Sequence, residues 1–323
     1  MIITHSSPVR RMLALVAVSV PLALTGVAAL GSASASARTV NAQEQQSHNW
    51  GGYVVQDNHG QNFSSVSGSW TQPAVSAASG QGYSAFWVGL GGASQQSQAL
   101  EQIGTSANVV NGRTQYSAWY ELVPAPETKL SLAIHPGDHV SGRVAVNGRQ
   151  VTLSLSDQTS GQSVTKTLQM NGPDTSSAEW IAEAPSAENP GGGTQILPLA
   201  NFGQVTFTNA SATAGGHTGS ISDPNWTARQ TQLSSSGGIA FPGAGNIAPG
   251  TGGLSGTSGA GASASGLADG GTSFSVSYGA GGGSQPSTGG AAGYAAGVYG
   301  YPGSAYGGSY VFVLPGGYVV VIA

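Results

Sequence analysis

Asn147-Gly-Arg-Gln-Val-Thr-Leu-Ser-Leu155 decides the fold class. Val151, Leu153 and Leu155 alternate with polar residues, the period of two that turns one face of a strand into a core. Asn147-Gly148 separates this run from the alternating residues before it, and Asn-Gly is the preferred chemistry of a tight type I′ hairpin. The same pattern recurs outward from this stretch. Ala118, Tyr120 and Leu122 alternate, as do Leu130, Leu132 and Ile134, and Asn111-Gly112 marks another hairpin. Ser160-Gly161-Gln162 joins two further strands. No segment carries apolar residues at helical spacing over three turns. Many short strands separated by such turns predict an all-β fold, an antiparallel sandwich or barrel.

Composition divides the 323-residue chain. Residues 1–37 read as a signal peptide. Arg10 and Arg11 precede the apolar stretch Met12–Leu30, and Gly31–Ala37 offers the small residues of a cleavage site. Residues 38–47 read as a short linker and 48–235 as the folded domain. Residues 236–270 read as a Gly/Ser-rich loop, 271–280 as the final strand, and 281–323 as a Gly/Tyr-rich low-complexity tail. The expected product is secreted, free of the membrane once the signal is removed, and monomeric. The closing Ser309–Ala323 is β-prone and too short for a membrane helix.

Charged residues make up 7% of the chain and its net charge is −4. No basic stripe exists, which argues against nucleic acid as a partner. With no cysteine, the chain has no disulfide, thiolate metal site or cysteine nucleophile. It lacks a Gly-x-Ser-x-Gly elbow. His135 and His139 stand four apart, but Pro136 and Gly137 make that segment a turn rather than a zinc-binding helix face. Carboxylates and amides remain. In Glu179-Trp-Ile-Ala-Glu183 two acids share one face of a strand, with Ile181 between them.

At these residues the chain resembles the glutamic peptidases called eqolisins. The likeness runs in order through His48-Asn-Trp-Gly-Gly-Tyr-Val54, Val66-Ser-Gly-Ser-Trp-Thr-Gln-Pro73 and Phe86-Trp-Val-Gly-Leu-Gly-Gly92. It continues through Ala99-Leu-Glu-Gln-Ile-Gly-Thr105, Tyr116–Pro124, Ala178–Glu183 and Leu199–Phe207. The resemblance implies a concanavalin-like sandwich of two large antiparallel sheets and an acid-acting endopeptidase of protein and peptide substrates, with no cofactor or metal. It places the catalytic glutamine on Gln102 and the catalytic glutamate on Glu183. Trp50, Trp87, Glu121 and Glu179 fall where the family's cleft is lined or supported. On that pattern an ionised Glu183 takes a proton from the attacking water. Gln102 steadies the oxyanion, and Glu183 then protonates the leaving amine.

Two other classes compete. A β-sandwich glycoside hydrolase would use Glu179 and Glu183 as its pair, but a flat strand holds them about 13 Å apart, and a retaining pair needs about 5–5.5 Å. A lectin-like surface module would need neither acid. Whether Gln102 and Glu183 face each other across one cleft discriminates among these readings, and opposite faces would exclude the peptidase.

Overall fold

The computed structural model describes residues 42–94, 97–188, 194–234 and 260–280, and the backbone of 310–314 and 318–322. The signal segment, the center of the Gly/Ser-rich stretch and most of the tail lie outside the described residues. In chain order the strands are β1 (Gln43–Ser47), β2 (Trp50–Asp57), β3 (Phe63–Thr71), β4 (Ala85–Gly91), β5 (Leu100–Val110) and β6 (Arg113–Val123). There follow β7 (Thr128–Lys129), β8 (His139–Asn147), β9 (Gln150–Asp157), β10 (Gln162–Gln169), β11 (Ala178–Glu183), β12 (Ser186–Glu188) and β13 (Thr194–Ile196). The remainder are β14 (Gln204–Ala214), β15 (His217–Gly219), β16 (Trp226–Leu233), β17 (Ala260–Ala264) and β18 (Phe274–Ala280). Helical structure among the described residues is limited to the 3-10 turns Ala77–Ser79 and Asp269–Gly271.

The two expected sheets are halves of one hydrogen-bonded sheet of sixteen strands, fourteen of them in the order β10-β9-β8-β3-β14-β18-β17-β16-β2-β11-β4-β5-β6-β7, with β1 added on β16 and β15 on β14. It folds over at the narrow junction of β16 with β17, where the register is the single pair Leu233↔Ala262. The β3 half packs on the β11 half around one core. Val66, Val144, Leu153 and Phe207 come from the first half, and Val88, Ile103 and Trp180 from the second. Two indole N–H groups cross that core: Trp180 donates to the Ser67 carbonyl at 2.8 Å, and Trp70 to Thr105 Oγ1 at 2.9 Å. Each satisfies a polar atom that burial would otherwise strand.

The turns show how sequence became geometry. Asn111 and Gly112 both have positive φ, 52° and 71°, as a type I′ turn requires. The second hairpin differs. Asn147 pairs with Gln150, so the turn is Gly148-Arg149, and Gly148 alone has positive φ, the II′ pattern. Leu130, Leu132 and Ile134 are buried in alternation as expected, yet they lie outside any ladder. Their period reports an extended backbone with one face against the core rather than a paired strand.

Two boundaries need correction. The stretch read as a linker, 38–47, contains β1, which pairs in parallel with β16 from Gln43↔Arg229 to Ser47↔Leu233. The stretch read as a loop, 236–270, contains β17, paired with β18. Small Ala and Gly side chains hid both pairing and burial in β17. Separately, Tyr310–Leu314 and Tyr318–Ile322 (β19 and β20) form a two-stranded antiparallel hairpin.

Trp180 is fully buried and carries one of the cross-core bonds. Trp180→Ala should lower unfolding free energy by roughly 3–5 kcal/mol, measured as a shift in urea midpoint at unchanged slope.

Candidate active site

Strands β4 and β11 are buried on both faces, unlike the half-exposed β9. Their second face, turned away from the core, carries a separate apolar cluster that includes Trp50, Trp87, Leu100, Trp119 and Ile181. Ladder registers arrange this face in rows across β2, β11, β4, β5 and β6. One row reads Val54, Glu179, Gly89, Gln102, Glu121. The next is Gly52, Ile181, Trp87, Gly104, Trp119, and the third is Trp50, Glu183, Ala85, Ser106, Ser117. All six residues singled out from the sequence therefore lie on one face.

Backbone register and side-chain reach treat the two glutamates differently. Gln102 is level with Glu179, with only Gly89 between them, so their Cα atoms are about 10 Å apart at two strand spacings. Glu183 pairs with Ala85, four residues along β4 from Gly89, so its Cα is about 16 Å from that of Gln102. Its carboxyl reaches back along β4 to Trp87 Nε1, whose ring lies over Gly89 beside Gln102. β11 pairs continuously with both neighbors, so no bulge brings Glu179 and Glu183 to glycosidase spacing.

Each polar side chain has a defined setting. Gln102 Nε2 donates to Glu121 Oε2 at 2.6 Å, while Gln102 Oε1 accepts no hydrogen bond among the described residues. Glu183 accepts from Trp87 Nε1 at 2.7 Å and from Asn49 Nδ2 at 3.2 Å. Trp87 lies along β4 because its neighbors lack side chains. A Cβ on Gly89 would sit 2.8 Å from Trp87 Cζ3, and one on Gly104 would sit 2.6 Å from Trp87 Cβ. Trp50 meets the Trp87 ring edge-on, with centroids 5.0 Å apart.

Glu179 is the outlier. Its side chain is fully buried and neither carboxyl oxygen has a hydrogen-bond partner among the described residues. Burial raises its pKa well above the ordinary carboxylate range. The charges of Asp174 and Glu101 add to the rise, and the Ser177 hydroxyl opposes it without reaching hydrogen-bonding geometry. Burial likewise pushes Glu101 up to about 8. Asp174 moves the opposite way. Burial raises it, but hydrogen bonds from Ser97, Ser176 and Gly92 outweigh burial and hold it below the usual range. Asp174 N–H also donates to Glu101 Oε1 at 3.1 Å, tying the approach to β11 onto β5.

Asn49, Glu101 and Asp174 were not singled out from the sequence. Asn49 and Glu101 each adjoin a chosen residue. Glu101 carried a usable signal, an acid inside an apolar strand of a charge-poor chain. The two histidines of the 135–139 turn have separate partners: His135 faces Asp138 at 3.4 Å, and His139 Nδ1 lies 3.2 Å from Thr71 Oγ1.

The sequence pattern of the Peptidase A4 family matches residues 48–236, which span this face. The chain belongs to the Peptidase A4 family. It is 33% identical over 204 residues to aspergillopepsin-2 of Aspergillus niger, covering 56% of this chain and 69% of that protein. Its fold is similar to scytalido-glutamic peptidase, solved with a transition-state analogue inhibitor, at a TM-score of 0.55 and 27% identity. SCP-B, an eqolisin solved with the tripeptide Ala-Ile-His, gives 0.51 and 27%. Each structural match covers 72% of this chain and 98% of the other. Membership makes this Peptidase A4 chain a glutamic peptidase, a hydrolase of peptide bonds.

The carboxyls divide into two sets with opposite pH dependence. Glu101, Glu127 and Glu179 are raised in the fold, each chiefly by burial. Their stabilization is complete below the unfolded value of about 4.3 and is lost as pH climbs, through about 8 for Glu101. Asp57 is lowered chiefly by the Gln61 N–H; in Asp157 and Asp223 hydrogen bonds outweigh burial, as in Asp174. Their contribution is lost as pH falls below about 3.9. The thermal midpoint should therefore peak near pH 4 and fall toward pH 8, a trend read by calorimetry across that range.

Proposed function

We propose that this chain is a secreted, acid-acting glutamic endopeptidase whose working pair is Gln102 and Glu179, with Glu183 as a positioning residue. The observation that carries the assignment is the shared row of Gln102 and Glu179 across Gly89. Two unbonded carboxyl oxygens on Glu179 support it. Secretion rests on the signal-like residues 1–37, and a peptide substrate on the peptide and inhibitor held by the two solved relatives.

A raised carboxyl is protonated in acid, which suits an acid-first route. One Glu179 oxygen gives its proton to the scissile carbonyl oxygen. Water bonds to the carbonyl carbon and yields a proton to the other Glu179 oxygen, leaving a neutral gem-diol and a protonated Glu179. In the second pass Glu179 protonates the amide nitrogen and takes a proton from one diol hydroxyl. The C–N bond breaks, and a carboxylic acid and an amine leave. Glu121 pins Gln102 Nε2, so Gln102 Oε1 faces the attacking water as an acceptor, and its remaining N–H is available to the diol oxygen. Glu183 fixes the Trp87 indole, whose ring edge borders Gly89. In this state the face is closed to solvent, and a substrate reaches it only when the face opens.

Casein hydrolysis in acid by the folded chain tests the reading, with pepstatin, EDTA and a serine-protease inhibitor present. Glu179→Gln and Gln102→Ala should each lose roughly 10²–10⁴-fold in kcat. Glu183→Gln should lose clearly less. A larger loss for Glu183→Gln than for Glu179→Gln would return the catalytic role to Glu183. Loss of activity to EDTA or pepstatin would overturn the mechanism.

A further inference from the structure

A cavity of about 850 Å³ opens beyond the end of the row that holds Gln102. Val123, on its wall, stands two residues past Glu121 on the same strand and face, so the cavity begins about 7 Å from Glu121, the partner of Gln102. Ala99, Val123, Pro124 and Met170 form an apolar side, and Ser97 and Asp174 a polar end. No lysine, arginine or histidine is among the lining residues. Beside the lining residue Asn171, the Arg149 guanidinium donates to Asn171 Oδ1. The cavity is thus a slot with an apolar wall and one carboxylate at its end.

We propose that this cavity is a substrate subsite that selects a basic side chain, Lys or Arg, within two residues of the bond cleaved. An apolar stem carrying a terminal cation matches the lining, because such side chains lay their methylenes on apolar surface and present the charge beyond it. Asp174 suits the task in acid. Its carboxylate is held by the Gly92 and Ser176 N–H groups and by Ser97 Oγ, which favor the charged form. It keeps its charge at a pH where an ordinary surface carboxylate is partly neutralized. Of the other acids facing it, Glu101 carries its proton below about 8 and burial raises Glu179 well above the ordinary carboxylate range. Asp174 is therefore the charge a cation meets.

The inference rests on the peptidase reading, and one experiment separates the two. The full chain is given matched peptides in acid that carry Lys, Arg or norleucine at each of the two positions on either side of the cleaved bond. The wild type should prefer Lys or Arg to norleucine at one position by about ten-fold in kcat/KM, as a charge-assisted contact provides. Asp174→Asn should reduce that preference below about three-fold, read as the ratio of kcat/KM for the basic peptides to that for the norleucine peptides in the same variant. Because Asp174 also anchors its loop, Met170→Lys serves as a second variant. It is unbranched and of similar length, leaves the Asp174 hydrogen bonds in place, and sets an ammonium inside the cavity. It should abolish the preference. Cleavage with no basic preference at any position would overturn the subsite, and no cleavage of any peptide would overturn the peptidase reading itself.

Discussion

Gly89 has no side chain, and the arrangement of the candidate site depends on that gap. β4 lies between the strands that carry Gln102 and Glu179, so any side chain at this position would stand between them. A Cβ there would approach the Glu101 carbonyl to 3.1 Å and Gln102 Cβ to 3.2 Å, besides the Trp87 ring. The bare position is taken up by the edge of the Trp87 ring, which lies over Gly89 beside Gln102. Trp87 in turn is held by Glu183. The second acid of the Glu179–Glu183 strand thus contributes by fixing the ring that borders the first.

Burial on both faces of β4 and β11 has two consequences that usually conflict. It makes the five-strand surface rigid, since each strand is held by ladders on its edges and packing on its faces. It also desolvates every acid placed there, which costs stability whenever the acid is charged. For Glu101 and Glu179 the chain limits that cost by protonation, since burial raises both. The ion pairs His59–Asp57, His135–Asp138 and His217–Asp223 each join a histidine to an aspartate outside this face. A buried carboxyl without a cation is cheap only when it is neutral, so the site's chemistry and the fold's stability favor the same acid range.

The fold was largely legible in the sequence, because period-two alternation and Asn-Gly turns act locally. Val151, Leu153 and Leu155 announced a half-buried strand whatever lay across the core. Alternation failed where its physical cause is not unique: Leu130, Leu132 and Ile134 are extended and one-sided but unpaired. It was silent at β17, where Ala and Gly provide almost no pattern. The site was legible in its members but not in its rows. Six residues were named and share one face, and which of them stand level is set by the registers of β4 with β11 and with β5. Register depends on nonlocal ladders, and neither the Glu179–Glu183 spacing nor resemblance of short segments contains it.

The choice of an amide as partner has its own logic. Two carboxyls sharing one site repel when both are ionized, so their pKa values split and the pair works only between the two. Gln102 carries no charge in any state, and Glu179 faces no such partner across Gly89. Its proton affinity is then set mainly by burial, with Glu101 and Asp174 as secondary influences. Burial raises a carboxyl without giving it a lower companion, so the protonated form extends through the whole acid range. Glu121, which could have restored a like-charge pair, instead spends one oxygen on the Gln102 amide. That bond fixes the orientation of the amide, because a carboxylate can only accept and of the two ends of the amide only the nitrogen donates. A titrating group next to a non-titrating one therefore yields a single protonation state and a single orientation over the pH range in which the fold is most stable.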